Sequence, residues 1–191
     1  MDYIDISKVK LNEELPKIDF NVDDGCYELA CSIFDYCNLN CNFCFQKHSK
    51  EGFDYDSIMQ IPDKMYDRMK SEFELYNIKE IELKLWGGEL FFDSIPDKFF
   101  DAYKYLYDRF KYLVLKDFPN MKIYPVWLSN GIFTKYDRVE KLLKVTNGKL
   151  ALSYDPKGRF TSVKMIEIWL HTFWHFYDLV KGGSPTNRLT L

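Results

Sequence analysis

Cys37-Asn38-Leu39-Asn40-Cys41-Asn42-Phe43-Cys44 is the stretch on which the reading of this chain turns. Three cysteines are spaced C-x3-C-x2-C within one short segment. Such a cluster does little for packing and much for a metal. Cysteine thiolates are the ligands of [4Fe–4S] clusters, and electron-transfer clusters take four of them. Three thiolates leave one iron open, and an open coordination site is where chemistry happens. Zinc is the other metal that four cysteines could hold, tetrahedrally, with Cys31 joining Cys37, Cys41 and Cys44. The usual zinc pattern has two CxxC-like pairs, which this chain lacks.

The flanks say where the loop sits. Residues 1 to about 26 are polar without a clear period and read as an N-terminal extension. Tyr27 to Tyr36 is rich in strand formers, so the cysteines follow a strand. Pro62 suits a first helical position, with Met65, Met69 and Phe73 as the buried stripe. Ile81, Leu83 and Leu85 alternate with Glu80, Glu82 and Lys84, a period of two, and run into Trp86-Gly87-Gly88-Glu89. A helix from near Pro96 carries Phe99, Tyr103, Leu106, Phe110 and Leu113 on one face. A third strand, Met121 to Leu128, ends in Ser129-Asn130-Gly131. A shorter helix closes at Asn147-Gly148, and a fourth strand spans Leu150 to Asp155, stopped by Pro156. A fourth helix, about 162 to 180, turns Met165, Ile168, Trp169, Phe176 and Leu179 inward and ends at Gly182-Gly183. Asn187 to Leu191 resembles the start of a fifth strand.

Repeated βα units imply an α/β fold with a parallel sheet and right-handed crossovers. Polar or glycine residues then stand at the C-terminal end of every strand, the end where parallel sheets bind ligands. With 191 residues and no low-complexity linker, the chain reads as one domain. The net charge is −3 and the basic residues are scattered, which argues against nucleic acid. No apolar run approaches the ~18 residues of a membrane span, and the acidic N-terminus has no signal-peptide pattern. Five cysteines in such a chain point to metal or catalytic use in a reducing, cytoplasmic setting.

The loop after the first strand and the Gly-Gly-Glu after the second together resemble the radical S-adenosylmethionine (radical SAM) family. The family signature Cys-x3-Cys-x-aromatic-Cys is matched by Cys37, Cys41, Phe43 and Cys44. Its Gly-Gly-Glu-Pro motif is matched by Gly87, Gly88 and Glu89, with Leu90 in place of the proline. The resemblance covers roughly residues 27 to 155. It implies a partial (β/α) barrel of the radical SAM type with about four βα units present, the fifth and sixth missing. It also implies a [4Fe–4S] cluster on Cys37, Cys41 and Cys44, with S-adenosylmethionine (SAM) chelated to the open iron. One-electron cleavage of SAM would yield a 5′-deoxyadenosyl radical that takes hydrogen from an unknown substrate. Gly87, Gly88 and Glu89 would hold the SAM amino group, for an ammonium needs carbonyl and carboxylate acceptors. Phe43 would pack near the adenine, Ser153 and Asp155 would face the ribose, and Asn130 is a further cofactor contact. An electron donor such as flavodoxin or ferredoxin is implied as partner.

The motif style most resembles members that modify peptides or activate proteins. A viperin-like nucleotide-modifying enzyme and a non-catalytic cluster- and SAM-binding module are the alternatives. Residue by residue, plainer roles also stand: Gly87-Gly88 and Ser129-Asn130-Gly131 as turns, Asp155 as a turn former, and Cys26 and Cys31 as ordinary strand residues. His171 and His175 share a helix face, but Thr172 stands where a zinc protease places its glutamate. Glu82 and Lys84 point either into a barrel lumen or onto the solvated face of an edge strand.

Overall fold

The computed structural model describes residues 26–46, 48–50, 52–155, 157–181 and 188–190, the last three by backbone alone. Five strands and four helices alternate: β1 (Cys26–Ser32), α1 (Tyr55–Leu75), β2 (Glu80–Trp86), α2 (Lys98–Asp117), β3 (Lys122–Ser129), α3 (Tyr136–Thr146), β4 (Lys149–Leu152), α4 (Val163–Lys181) and β5 (Arg188–Thr190). The strands form one sheet in the order β1-β2-β3-β4-β5, every pair parallel. Each crossover therefore moves one place in the same direction, as in a barrel wall. The expected fifth strand is present as β5. The expected N-terminal extension up to residue 25, the stop at Pro156 and the helix end at Gly182-Gly183 lie outside the described residues.

The register explains the core. Leu29, Leu83 and Pro125 form one row across neighbouring strands, and Cys31, Leu85, Trp127 and Leu150 form another. These side chains are buried beneath the helices with Phe73, Tyr103, Phe110 and Phe176. The opposite face is polar. Glu82 and Lys84 project there from β2, which has a neighbour on both sides and is no edge strand. Lys84 pairs with Glu28 at 2.6 Å, Lys149 reaches Glu82 at 3.4 Å, and the Tyr124 hydroxyl donates to Glu80 at 2.8 Å. Cys26 begins β1 on this face, 3.8 Å from the Tyr124 hydroxyl.

Three boundaries differ clearly from expectation. The first helix starts at Tyr55, seven residues before Pro62, which sits buried inside it. The start is set by Asp54, whose carboxylate accepts the Ser57 N–H at 2.8 Å as an N-cap. Proline tolerates the first turn but does not mark it, and the Asp-x-x-Ser pattern was the better signal. The first strand stops at Ser32 rather than Tyr36, and the fourth at Leu152 rather than Asp155. In both places the chain leaves the ladder to build the rim. Replacing Asp54 by Ala should lower the urea midpoint through loss of the cap, whereas Asp56→Ala, with no cap to lose, should leave the midpoint nearly in place.

Candidate functional site

Past Ser32 the chain keeps touching β2 without being a strand. Ile33 N–H donates to Trp86 O at 2.8 Å, Gly88 N–H to Phe34 O at 2.8 Å and Glu89 N–H to Tyr36 O at 3.0 Å. The backbones come so close that a Cβ on Gly88 would stand 2.0 Å from the Tyr36 carbonyl oxygen. Only glycine fits there. This contact delivers Cys37 to the C-terminal end of the sheet, directly beside Gly87 and Gly88.

Glu89 does not face open space. Its side chain is 1% exposed, and its carboxylate accepts the Phe91 N–H at 2.9 Å, the Ser129 hydroxyl at 2.7 Å and the Asn130 N–H at 2.6 Å. Burial pushes this carboxyl above the ordinary glutamate range, while the three donors hold it down. Asn130 continues the chain of bonds: its amide donates to Asn38 Oδ1 at 2.8 Å, and its own oxygen accepts the Ile132 N–H at 2.8 Å. Asn38 returns a bond to Ile132 O at 3.0 Å. The cysteine loop is thus pinned to the end of β3. The following Gly131 has φ +75°, and a Cβ there would meet the Trp169 ring at 2.6 Å.

Cys37, Cys41 and Cys44 are free thiols that line one pocket of about 210 Å³. Phe43, Gly87, Gly88, Asn130 and Ser153 share that lining, so the structure brings together most of the residues expected there. Glu89 and Asp155 are outside it. Asp155 instead accepts the Gly158 N–H at 2.9 Å and the Lys157 N–H at 3.2 Å, holding the turn after β4. Cys31 is buried on the helix side of β1, its thiol pushed up to about 11 by burial, and takes no part. The Cys37 thiol is likewise pushed up to about 11, mainly by burial, against the Leu39 N–H that it accepts at 3.4 Å. As placed, no group of three or more Cys, His, Asp or Glu side chains among the described residues converges on a single metal position. His171 is exposed, and His175 stacks on Tyr136 and meets Glu140 at 2.6 Å.

Among the pocket residues that sequence reasoning did not single out are Gln46, His48 and Arg159. Arg159 lies over the Phe43 ring at 5.9 Å and donates to the Ser153 hydroxyl, joining the loop after β4 to the cysteine loop. Gln46 Nε2, His48 Nδ1 and Arg159 Nε are buried without a hydrogen-bond partner, which in native interiors is uncommon. The available signal was position: Gln46 and His48 continue the cysteine loop that follows β1, and Arg159 belongs to the loop that follows β4. Comparison with family models gave no match, and none was found among curated proteins.

Glu89→Gln should lower stability by about 1–3 kcal/mol, because one of three fixed donors would then face an NH2 group. The cost should be largest below about pH 4.3. A raised folded pKa means that the native carboxyl's advantage is full there and is lost as pH rises through the folded value. Urea midpoints of both proteins across pH 4–8 would test this; a constant difference would contradict it.

Proposed function

We propose that this chain is a radical SAM protein that holds a [4Fe–4S] cluster on Cys37, Cys41 and Cys44 and binds SAM in the same pocket. One observation carries the reading: three thiols from a C-x3-C-x2-C loop line a pocket with the Gly87-Gly88 strand end. The residues fit the group in kind. The thiols match the cluster's donor set, and the loop that carries them is tied down at Asn38, so movement at Cys41 and Cys44 would have to gather them. Buried donors on Gln46 and Arg159 lack partners within the protein and suit a ligand rich in acceptors.

When bound, the pair supplies one-electron cleavage of a sulfonium and hydrogen abstraction from a substrate. The chain's own residues bind, orient and shield. The Gly87 and Gly88 carbonyls are acceptors for an ammonium. Glu89 serves them indirectly, by fixing the strand end through Ser129 and Asn130. Phe43 and Leu128 supply apolar wall, and Ser153 and Asn130 supply polar contacts. The polar face of the sheet, with Glu82, Lys84 and Lys149, would line a wet chamber.

The test is anaerobic reconstitution with iron and sulfide, reduction, and addition of SAM. The expected result is visible cluster absorption and formation of 5′-deoxyadenosine. Cys41→Ala should abolish both, while Cys31→Ala should spare both. Failure to bind iron would overturn the reading, and a cluster without cleavage would favour a non-catalytic binding module.

A further inference from the structure

Four side chains around the pocket are metal donors, and they come from one stretch of chain. Cys37, Cys41, Cys44 and His48 are spaced C-x3-C-x2-C-x3-H, and all four line the pocket. Of the chain's three histidines, His171 is exposed on α4, and His175 is held by Glu140 and Tyr136. His48 is the one that stands with the thiols. Its Nδ1 is buried and has no hydrogen-bond partner. A ring nitrogen so placed needs a donor, an acceptor or a metal, and the protein offers it neither of the first two.

The donor set narrows the metal. Among the described residues no Asp or Glu shares the lining, so calcium and magnesium, which take oxygen ligands, are poorly served. Three thiolates and an imidazole form one of the tetrahedral sets that hold zinc. Charge agrees. Three thiolates on a divalent ion leave one negative charge, and Arg159 brings one positive charge to the same lining.

The local chain suits this set. The Cys44 N–H donates to Cys41 O at 3.0 Å, so a tight turn carries a C-x2-C pair, a usual zinc spacing. Cys37 stands beside Asn38, which is pinned to Asn130 and to Ile132 O, and is the anchored donor. Cys31, the fourth thiol that the sequence offered, is buried on the helix side of β1 and cannot reach. As placed, the four donors do not converge on one point. The part that must move to gather them is the loop beyond Leu39, where Phe43 and Phe45 are exposed and little packing resists.

We propose that His48 is the fourth ligand of this loop, and that in the absence of SAM Cys37, Cys41, Cys44 and His48 close as a tetrahedral site on a zinc-type divalent ion. The corner that His48 fills is the one that the radical SAM reading leaves to SAM, so the two occupants exclude one another. The zinc-type site itself does not rest on that reading.

Anaerobic titration of the reduced, metal-free full chain with Co2+ tests this, since cobalt enters zinc sites and reports its ligands in the visible spectrum. The expected result is a single equivalent bound, with the intense ligand-field bands of a tetrahedral site, thiolate-to-cobalt charge transfer, and displacement by Zn2+. His48→Ala should shift the bands and weaken binding by at least the roughly tenfold that loss of even an outer partner costs, and added imidazole should restore both. His48→Cys should keep the affinity and gain charge-transfer intensity, which separates a lost ligand from a folding defect. Cys31→Ala and His171→Ala should change nothing. Absence of cobalt binding, octahedral bands, or a spectrum unchanged in both His48 variants would overturn the proposal. Cobalt held through His48 in a protein that takes up no iron–sulfur cluster would sink the radical SAM reading and leave this one standing. Cluster uptake and SAM cleavage beside a cobalt spectrum indifferent to His48 would do the reverse.

Discussion

Glu89 carries its carboxylate into a place without water, and three donors from three other residues meet it there. Charge in such a place is tolerated only when it is well hydrogen-bonded. The bond to Phe91 shapes the turn after β2, while the bonds to Ser129 and Asn130 lock that turn to the end of β3. Gly131 N–H in turn donates to the Ser129 hydroxyl at 3.0 Å, so the network closes on itself. The rim of the sheet is therefore one hydrogen-bonded unit, and the pocket is built on it.

The sheet's two faces obey different physics. On the helix side, register aligns Leu, Ile and Trp side chains from neighbouring strands into a dry layer. On the other side the same strands present Glu28, Glu80, Glu82, Lys84 and Lys149, mutually paired and partly exposed. Salt bridges of this exposure stabilise little. Their effect is to keep a second apolar layer from settling on that face, which stays open to polar contents.

Much of the fold was legible because period and punctuation agreed. Alternation in Glu80–Leu85 and the three-four spacing in α2 each specify one element and one buried face. The start of α1 was misread because Pro62 looked like a boundary, while the N-cap that fixes the boundary is a single hydrogen bond at Asp54. At the site, the cysteines were legible from their C-x3-C-x2-C spacing, and the two glycines, Asn130 and Ser153 because each directly follows a strand. The inward turn of Glu89 was not, since sequence reports that a carboxylate is present and not which way it faces. Arg159 was hidden for a related reason. Its place at the pocket depends on the loops after β1 and β4 meeting, and those strands are not neighbours.

That meeting gives the pocket one fixed wall and one adjustable wall. The fixed wall is backbone: Gly88 lies against Tyr36 so closely that no side chain could be added, and Glu89 anchors the turn. The adjustable wall is the loop from Leu39 to Gln46, described by a Cys44 N–H to Cys41 O turn at 3.0 Å and a weak contact from the Cys44 sulfur to Gln46 at 3.8 Å. Phe43 and Phe45 are exposed on it, so little apolar burial holds this part in place. A ligand that gathers three thiols must deform something, and here the deformable part carries Cys41 and Cys44 while the rigid part carries Cys37 and the glycine carbonyls. With the proposed cluster bound, the free energy of ordering the loop would come from the metal–thiolate bonds themselves, which would couple metal binding to the shape of the pocket.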